Sequence, residues 1–237
     1  HIEIIMEEGV KIVFTSAGNP ATYTAPFKEH GLKVVHVVSS SRFAMKAEQA
    51  GCDAVVAEGF EAGGHNGREE TTTLCLVPAV VDAVKIPVIA AGGIHDGRSM
   101  AAAFALGAKA VQVGSRFVAT PEASAHESFK KSILQAGEGE TQLTLKELTP
   151  VRLIKNEFYN RVQDAYNKGA SKEELAALLG RGRAKRGIFE GDLVEGELEI
   201  GQVSAMIRDI VPAADIVRRM MDECKATLAR LSAMTTE

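Results

Sequence analysis

The sequence has few cysteines, and their arrangement does not suggest a metal or redox site. Cys52, Cys75 and Cys224 are scattered along the chain, and no two of them form a CxxC pair. Zinc sites and redox dithiols use closely spaced cysteines, so the sequence favours neither. We expect three buried thiols in a reducing cytoplasm.

The sequence also lacks a long apolar run, a secretory signal and an excess of positive charge. No window is long and apolar enough to span a membrane. The formal net charge is −4 at pH 7, which provides no general attraction to nucleic acid or to an anionic membrane. We therefore expect neither as a partner, and any recognition of phosphate has to be local.

Short apolar runs do recur, and they alternate with helix-like segments over the first half of the chain. Hydrophobic residues make up 46% of the 237 residues, enough for a sizeable core. Because the runs are almost continuously apolar, they suit parallel strands that are covered on both faces. The predicted strands are Val10–Thr15, Lys33–Ser39, Asp53–Gly59, Pro87–Gly93 and Ala110–Arg116, and the predicted helices are Ala21–His30, Ser41–Ala50, Thr73–Val84 and Gly97–Leu106.

This alternation predicts βαβ units, which build either a (β/α)8 barrel or an open doubly wound sheet. Five strands cannot close a barrel, but they would be the last five of eight if three units preceded His1. The apolar cluster ahead of Gly9 is typical of the end of an amphipathic helix, so we expect a leading segment to be absent from this sequence. The predicted class is α/β, a TIM-type barrel represented by its last five βα units, with a helical appended domain.

The character of the sequence changes after Phe117, where the strand-like runs end. We assign residues 1–120 to the barrel, residues 121–200 to a helical substrate or lid domain, and residues 201–237 to C-terminal helices that pack back on the barrel. Within the helical part, Ser171 and Glu174 have the spacing of a capping box.

Three predicted strand ends carry residues suited to binding a ligand, and barrel active sites lie at the carboxyl ends of the strands. The third run leads through Glu58 into Gly63, Gly64 and His65. The fourth and fifth runs end in glycines whose N–H groups can approach a phosphate closely. We predict a phosphate site from Gly92, Gly93, Gly114 and Ser115.

Among the histidines, His65 is the one that its sequence position favours for a chemical role. A lone histidine is more often structural, and we interpret His1, His30, His36, His95 and His126 in that way. His65 differs because it follows two glycines at a predicted strand end. An imidazole there can exchange a proton with a carbon acid of the substrate. Position alone leaves the catalytic and the structural interpretation open.

The strings Glu58–His65, Pro87–Ile94 and Ala110–Phe117 occur in this order and together resemble a known family. They are similar to the FMN-binding core of nitronate monooxygenases, formerly 2-nitropropane dioxygenases, and of enoyl-acyl-carrier-protein reductase II. The resemblance is strongest from Val10 to about Phe129. It implies an FMN-containing barrel with a helical substrate domain, and a catalytic role for His65. The cofactor-binding residues that we assign on this basis are Glu58, Gly63, Gly64, Gly92, Gly93, Gln112, Val113, Gly114 and Ser115.

Within this family, the sequence is closer to the reductase II branch. Glu58 and the tail segments Phe189–Gly196 and Gly201–Gln202 resemble that branch. The resemblance implies reduction of enoyl thioesters, free or bound to acyl carrier protein, by NADH or NADPH in fatty-acid biosynthesis. The alternatives are a nitronate monooxygenase that oxidises nitroalkanes or nitronates with O2, and a non-catalytic flavin- or phosphate-binding remnant. We expect a homodimer, and a monovalent cation is a further candidate cofactor.

A basic run, Gly180–Gly187, stands out in this acidic sequence. One interpretation is a docking surface for an acidic carrier protein or for the phosphate of a pyridine nucleotide. The other is a solvated helix end with basic residues near its carboxyl terminus. Both interpretations stay open at the level of the sequence.

Overall fold

The computed structural model describes residues 2–234, which form two compact units. The first unit contains residues 2–60, 69–91 and 102–112, and the second contains residues 61–68, 92–101 and 113–234. His1 and residues 235–237, which belong to the first and last predicted segments, lie outside the described residues. The predicted boundaries at residues 120 and 200 differ from these units and stay predictions.

The first unit is built on a five-stranded parallel sheet with the strand order β1-β2-β3-β5-β6. A doubly wound sheet reverses its strand order at a switch point. Here the spatial order follows the chain order without a reversal, as in a barrel, so the predicted α/β class with five βα units is confirmed. The strands are β1 Ile12–Thr15, β2 Lys33–Val38, β3 Ala54–Glu58, β5 Val88–Ala91 and β6 Ala110–Gln112, while β4, Gly64–His65, belongs to the second unit.

The central strands of this sheet are buried on both faces. Val34 and Val55 are fully buried on one face. On the other, which we call the Val56 face, a separate cluster is formed by Val35, Ala54, Val56 and Ala91. Burial on both sides explains why the strands are nearly continuous runs of Val, Ile and Ala instead of alternating with polar residues.

Helices connect the strands and begin and end close to the predicted residues. Ser40 caps the helix that follows β2, because its side chain accepts a hydrogen bond from the amide of Phe43. Gly31 and Gly51 have the positive φ that favours glycine just past a helix end. The helices of this part are α1 Ile2–Glu7, α2 Ala21–Glu29, α3 Ser41–Gln49, α4 Thr73–Ala83 and α5 Gly97–Ala105, the last of which contributes residues to both units.

The second unit combines a small antiparallel sheet with helices. The segment predicted as a helical appendage, residues 121–200, contains four helices and also two strands that were not predicted. These strands, β7 Thr141–Thr144 and β8 Val151–Ile154, form a sheet with β4 in the order β4-β8-β7. Both strands have only four residues, too few to establish a period, and one partner of β8 is distant in sequence. The helices are α6 Ser115–Val118, α7 Glu127–Gln135, α8 Glu157–Asn167, α9 Lys172–Leu179, α10 Arg183–Ile188 and α11 Ala213–Met234.

Local sequence signals within the second unit agree with the structure. The predicted capping box is present, since Ser171 and Glu174 each accept a hydrogen bond from the other residue's backbone amide. The residues just before α11 form a short 3-10 helix, Gln202–Met206, instead of an α-helix.

Two remaining expectations concern the cysteines and the membrane. Cys52 and Cys224 are buried as predicted, but Cys75 is exposed, so the prediction of three buried thiols is wrong. Cys75 lies in the first turn of α4, and the buried residues of that helix lie at other positions. Among residues 2–234, no helix has the length and apolar character needed to cross a membrane.

Candidate functional site

Three predicted features meet at the carboxyl edge of the parallel sheet. Glu58 ends β3, Ala91 ends β5 and Gln112 ends β6. The strand register pairs Glu58 with Ala91, and Ala91 with Gln112. Register partners point to the same face of a sheet, with neighbouring strands about 4.8 Å apart. A carboxyl group and an amide therefore flank the methyl group of Ala91 on the Val56 face.

Glu58 is an unusual carboxyl group because nothing in the fold compensates for its burial. Burial raises the pKa of Glu58 to about 7. Its register partner Ala91 carries no charge, and no ion pair or hydrogen bond to its carboxyl group is present within residues 2–234. Near neutral pH the group is thus partly protonated, so it can donate as well as accept a hydrogen bond.

Two glycines with a left-handed backbone conformation follow β5. Gly92 has φ +87° and Gly93 has φ +69°. Side chains strain this conformation, so both positions favour glycine irrespective of any ligand. The Gly93 amide donates no hydrogen bond to another residue of the described part of the chain. It is available to a bound group.

The chain leaves β6 through Val113 and Gly114 into the short helix α6. A side chain at Gly114 would meet no atom within 4 Å, so space is open at this position. Within residues 2–234, the amides of Gly114 and Ser115 also lack an acceptor, as the first amides of a helix do. The Ser115 hydroxyl is already engaged, because it accepts a hydrogen bond of 2.9 Å from the amide of Gly201.

His65 follows β3 along the chain as predicted, but it lies on β4 of the antiparallel sheet and not in a loop. It pairs with Val151 of β8, and its side chain is exposed. The neighbouring Asn66 holds this turn rigidly. Its side-chain amide donates to the carbonyl groups of Ala62 at 2.9 Å and Gly64 at 3.0 Å, and its backbone amide donates to Pro150 at 2.9 Å. The fold therefore presents an accessible imidazole from a fixed backbone.

Gly63 and Gly64 are required by packing inside the second unit. A Cβ atom on Gly63 would lie 2.4 Å from the carbonyl carbon of Ile200. Gly64 has φ +75°, and a Cβ atom there would lie 2.8 Å from Oε2 of Glu199. These two glycines allow the His65 turn to approach the segment Glu199–Gly201. Their predicted contacts with a cofactor stay predictions.

Sequence reasoning missed two acidic residues close to this turn, Glu197 and Glu199. Burial and, to a lesser extent, the charge of Glu199 raise the pKa of Glu197 to about 7. Burial also raises the pKa of Glu199, whereas the charge of His65 lowers it. The alternation of Glu with Leu198 and Ile200 was the one available signal, because it is typical of an extended segment with one buried apolar face.

The basic run has partners within the fold. Arg183 donates to the backbone carbonyl groups of Leu178 and Leu179 and to Glu195, and it lies 4.3 Å from the ring centroid of Phe158. Arg186 pairs with Asp192, and Lys185 pairs with Glu190. These contacts favour the structural interpretation of the run over a docking surface.

Four other histidines for which a structural role was predicted, His30, His36, His95 and His126, have partners in the structure. His1 lies outside the described residues. His36 is buried and lies 2.7 Å from the hydroxyl group of Thr15. His126 caps α7 by accepting a hydrogen bond from the amide of Ser128. His30 and His126 are exposed as His65 is, but a ring nitrogen of each has a backbone partner.

The fold and the strand-end residues define the class as a barrel-type α/β protein with glycine turns at its carboxyl edge. The nitronate monooxygenase family model matches residues 1–223. This chain belongs to that family.

Relatives extend the match along nearly the whole chain. A nitronate monooxygenase of Paraburkholderia phytofirmans is 32% identical over 97% of this chain and 65% of its own length. A probable nitronate monooxygenase of Staphylococcus saprophyticus is 38% identical over 69% of this chain and 49% of its own length. The chain thus spans only about half to two thirds of these two relatives.

Solved structures of two proteins are also similar. FabK from Thermotoga maritima superimposes with a TM-score of 0.93 and 42% identity, over 98% of this chain and 74% of that one. A nitroalkane oxidase from Streptomyces ansochromogenes has a TM-score of 0.78 and 29% identity, over 97% of this chain and 68% of that one.

Proposed function

We propose that this chain is the larger part of an FMN-dependent oxidoreductase of the enoyl-acyl-carrier-protein reductase II type. Its substrate would be an enoyl thioester, free or attached to an acyl carrier protein, and NADH or NADPH would be the reductant. The high similarity to FabK, a reductase II, supports this choice. So does Glu58, which the reductase branch shares.

The observation that carries the proposal is the row Glu58, Ala91 and Gln112 on the Val56 face. Such a row suits the edge of a flat, polar ring system, because a small residue lies between two hydrogen-bonding side chains. The free amides of Gly93, Gly114 and Ser115 suit a phosphate group. We propose that Glu58 and Gln112 of the first unit contact FMN, and that Gly93, Gly114 and Ser115 of the second unit bind phosphate. Gly63, Gly64, Gly92 and Val113 stay predicted cofactor-binding residues.

His65 supplies the acid–base chemistry. FMN, when bound, supplies the capacity to accept and donate hydride. In the reductase reaction, the imidazolium of His65 would give its proton to the α-carbon of the thioester while the β-carbon gains hydride. The exposed side chain on a turn fixed by Asn66 is suited to this task, because a proton donor needs access and a constant direction.

A nitronate monooxygenase is the second candidate, favoured by the family model and by the names of the curated relatives. In that reaction His65 would act in the opposite direction and take a proton from the α-carbon of a nitroalkane. The same turn serves both directions, so the geometry of His65 does not distinguish the two substrates.

Flavin binding is tested by adding FMN to the purified protein and following the quenching of its fluorescence. We expect saturable binding that Ala91→Leu abolishes, because a larger side chain fills the row between Glu58 and Gln112. Ala79→Leu, at an exposed position of α4, is the matched control. A protein that never takes up FMN would instead be a non-catalytic remnant.

Substrate class is tested under anaerobic conditions after reduction of the flavin by NADH or NADPH. Reoxidation by a crotonyl thioester and not by a nitronate supports the reductase. If the thioester does not reoxidise the flavin, and a separate aerobic assay shows oxygen-dependent turnover of a nitronate, the assignment passes to the monooxygenase. Repeating the assay with and without added monovalent cation tests the predicted cation, and light scattering tests the predicted homodimer.

A further inference from the structure

Helix α3 of the first unit has an exposed patch of apolar and basic side chains. The helix packs through Ala44 and Ala47, which are buried. Two large apolar side chains are left outside, because Phe43 is 43% exposed and Met45 is 41% exposed. A surface depression of about 430 Å³ is lined by five residues that we call the α3 patch: Arg42, Phe43, Met45, Lys46 and Gln49.

The two cations of the α3 patch are unpaired. Within residues 2–234, neither the guanidinium of Arg42 nor the ammonium of Lys46 has an ion pair or a hydrogen bond. They are four positions apart on one helix, where like charges repel each other. The acid on the same helix, Glu48, is directed elsewhere, because its Oε1 accepts hydrogen bonds from the amides of Lys85 at 2.7 Å and Ile86 at 3.1 Å. The patch is thus locally positive on a chain whose net charge is −4.

The composition of the α3 patch is typical of a protein interface. Aromatic residues, methionine and arginine are enriched in interfaces, and unpaired charge of one sign favours a partner of the opposite sign. The basic run at residues 180–187 differs, because Lys185 and Arg186 have acidic partners within the fold. Of these two basic surfaces, the α3 patch is the one whose charges are available to an acidic partner.

The α3 patch lies beside the carboxyl edge of the parallel sheet. β2 ends at Val38 and Ser40 caps α3, so the helix begins at this edge. β2 pairs with β3, whose last residue is Glu58. An α-helix rises about 1.5 Å per residue, so Lys46 lies only about 8 Å along the axis from the first residue of the helix. The patch is therefore close to the strand ends at which we propose that FMN is bound.

We propose that the α3 patch is the docking surface for an acyl carrier protein. The acidic surface of the carrier faces Arg42 and Lys46, and its apolar side chains pack on Phe43 and Met45. This inference rests on the proposed function, in which a carrier-bound enoyl thioester is a substrate. A carrier presents its thioester on a long flexible arm, so docking beside the carboxyl edge leaves the arm free to reach a site at that edge.

The docking surface is tested without turnover by isothermal titration calorimetry with a purified acyl carrier protein. Arg42→Glu/Lys46→Glu should weaken binding roughly 10-fold or more, because like charges then face each other. The matched control is Lys11→Glu/Lys109→Glu, which reverses two exposed cations that precede β1 and β6 at the opposite edge of the sheet. It should keep the parent affinity. Equal affinities in the parent and both variants, or no binding to the parent, would overturn the inference.

The kinetic test compares a carrier-bound crotonyl thioester with a crotonyl pantetheine thioester, which has no carrier. Arg42→Glu/Lys46→Glu should raise KM for the carrier-bound substrate and leave both constants for the pantetheine substrate unchanged. Phe43→Ala should act in the same direction, whereas Ile4→Ala, at an exposed position of α1, should not.

Equal losses with the two thioesters would show that the α3 patch supports the site instead of docking the carrier, which would overturn the inference. So would loss of a dimer in the α3 variants, measured by light scattering, because the patch would then bind a second copy of the chain. If the protein failed to bind FMN, the proposed function would fall, while calorimetry would still decide whether the α3 patch binds the carrier.

Discussion

The two units hold their candidate site residues by different means. In the first unit, Glu58 and Gln112 end strands whose register is set by a buried, β-branched sheet. In the second, His65 lies on a two-residue strand that is held by Asn66 and by close backbone contacts with the segment Glu199–Gly201. The strand-end residues therefore depend on local sequence pattern, whereas the His65 turn depends on residues more than a hundred positions away.

His65→Ala tests whether His65 of the second unit has a catalytic or a structural role, and we expect it to have the largest effect. The exposed imidazole contributes little to packing, so we expect the fold and flavin content to be retained. Substrate-dependent reoxidation should fall roughly 10²–10⁴-fold, as for loss of a general acid or base. Stopped-flow measurement of both half-reactions, normalised to bound FMN, checks this. A normal oxidative half-reaction would return His65 to a structural role.

Gly63→Ala should break the turn itself. Its Cβ atom would be forced to 2.4 Å from the backbone of Ile200, which must shift to accept it. Forcing an extra carbon into a packed site costs about 1–3 kcal/mol of unfolding free energy, occasionally more. Urea unfolding measures the loss. A variant as stable as the parent would show that the Glu199–Gly201 segment does not hold the turn in solution.

Glu58→Gln tests the strand-end row through pH. Because burial raises the pKa of Glu58 to about 7 from its usual 4.5, the native state holds this proton more tightly than the unfolded state. Stability attributable to Glu58 is thus greatest below pH 4.5 and falls as the pH rises towards 7. In Glu58→Gln, the decrease in the free energy of unfolding as the pH rises through this range should be smaller than in the parent by on the order of 1–3 kcal/mol.

Urea unfolding of the parent and the variant at pH 5 and pH 8 measures the Glu58 effect. Glu197 contributes in the same direction, because its pKa is also raised to about 7. Glu197→Gln and the double variant therefore separate the two contributions. Identical pH dependence in Glu58→Gln and the parent would contradict the burial of this carboxyl group.

Gly114→Ala should have the smallest effect on stability. Its Cβ atom would meet no atom within 4 Å, and the backbone φ of −105° is accessible to any residue. We expect a change within about 0.5 kcal/mol in the same unfolding assay. A comparison of the two variants then shows that Gly63 is needed for packing, whereas Gly114 is not. A weakened affinity for FMN in this stable variant would place Gly114 beside the cofactor.

Much of the first unit could be predicted because its signals are local. The first four apolar runs, the helices between the runs and the glycines past the ends of α2 and α3 lie within one or two residues of their observed limits. The fifth run was predicted to end at Arg116, but β6 ends at Gln112 because the short helix α6 begins at Ser115. Glu58, Ala91 and Gln112 are the last residues of their strands, and the strand order and register align them. Continuous apolar runs determine buried parallel strands, and the chain order determines their neighbours.

The second unit was harder to predict because its decisive contacts join distant segments. The strands β7 and β8 are too short for a periodic signal, and β8 gains one of its partners from residues 64–65. Nothing near His65 in the sequence indicates Glu197 or Glu199. A carboxyl group changes its chemistry when it is buried, and burial is a property of the packed chain.

By itself the sequence determined the parallel order of the five strands, the positions of the helices and the motifs at the strand ends, because each depends on residues close together along the chain. The tertiary structure alone decided the antiparallel sheet that carries His65, the packing reason for Gly63 and the acidic pair beside the turn. It also decided that Arg183, Lys185 and Arg186 are paired. Register across distant segments and the removal of charge from water exist only once the chain has folded.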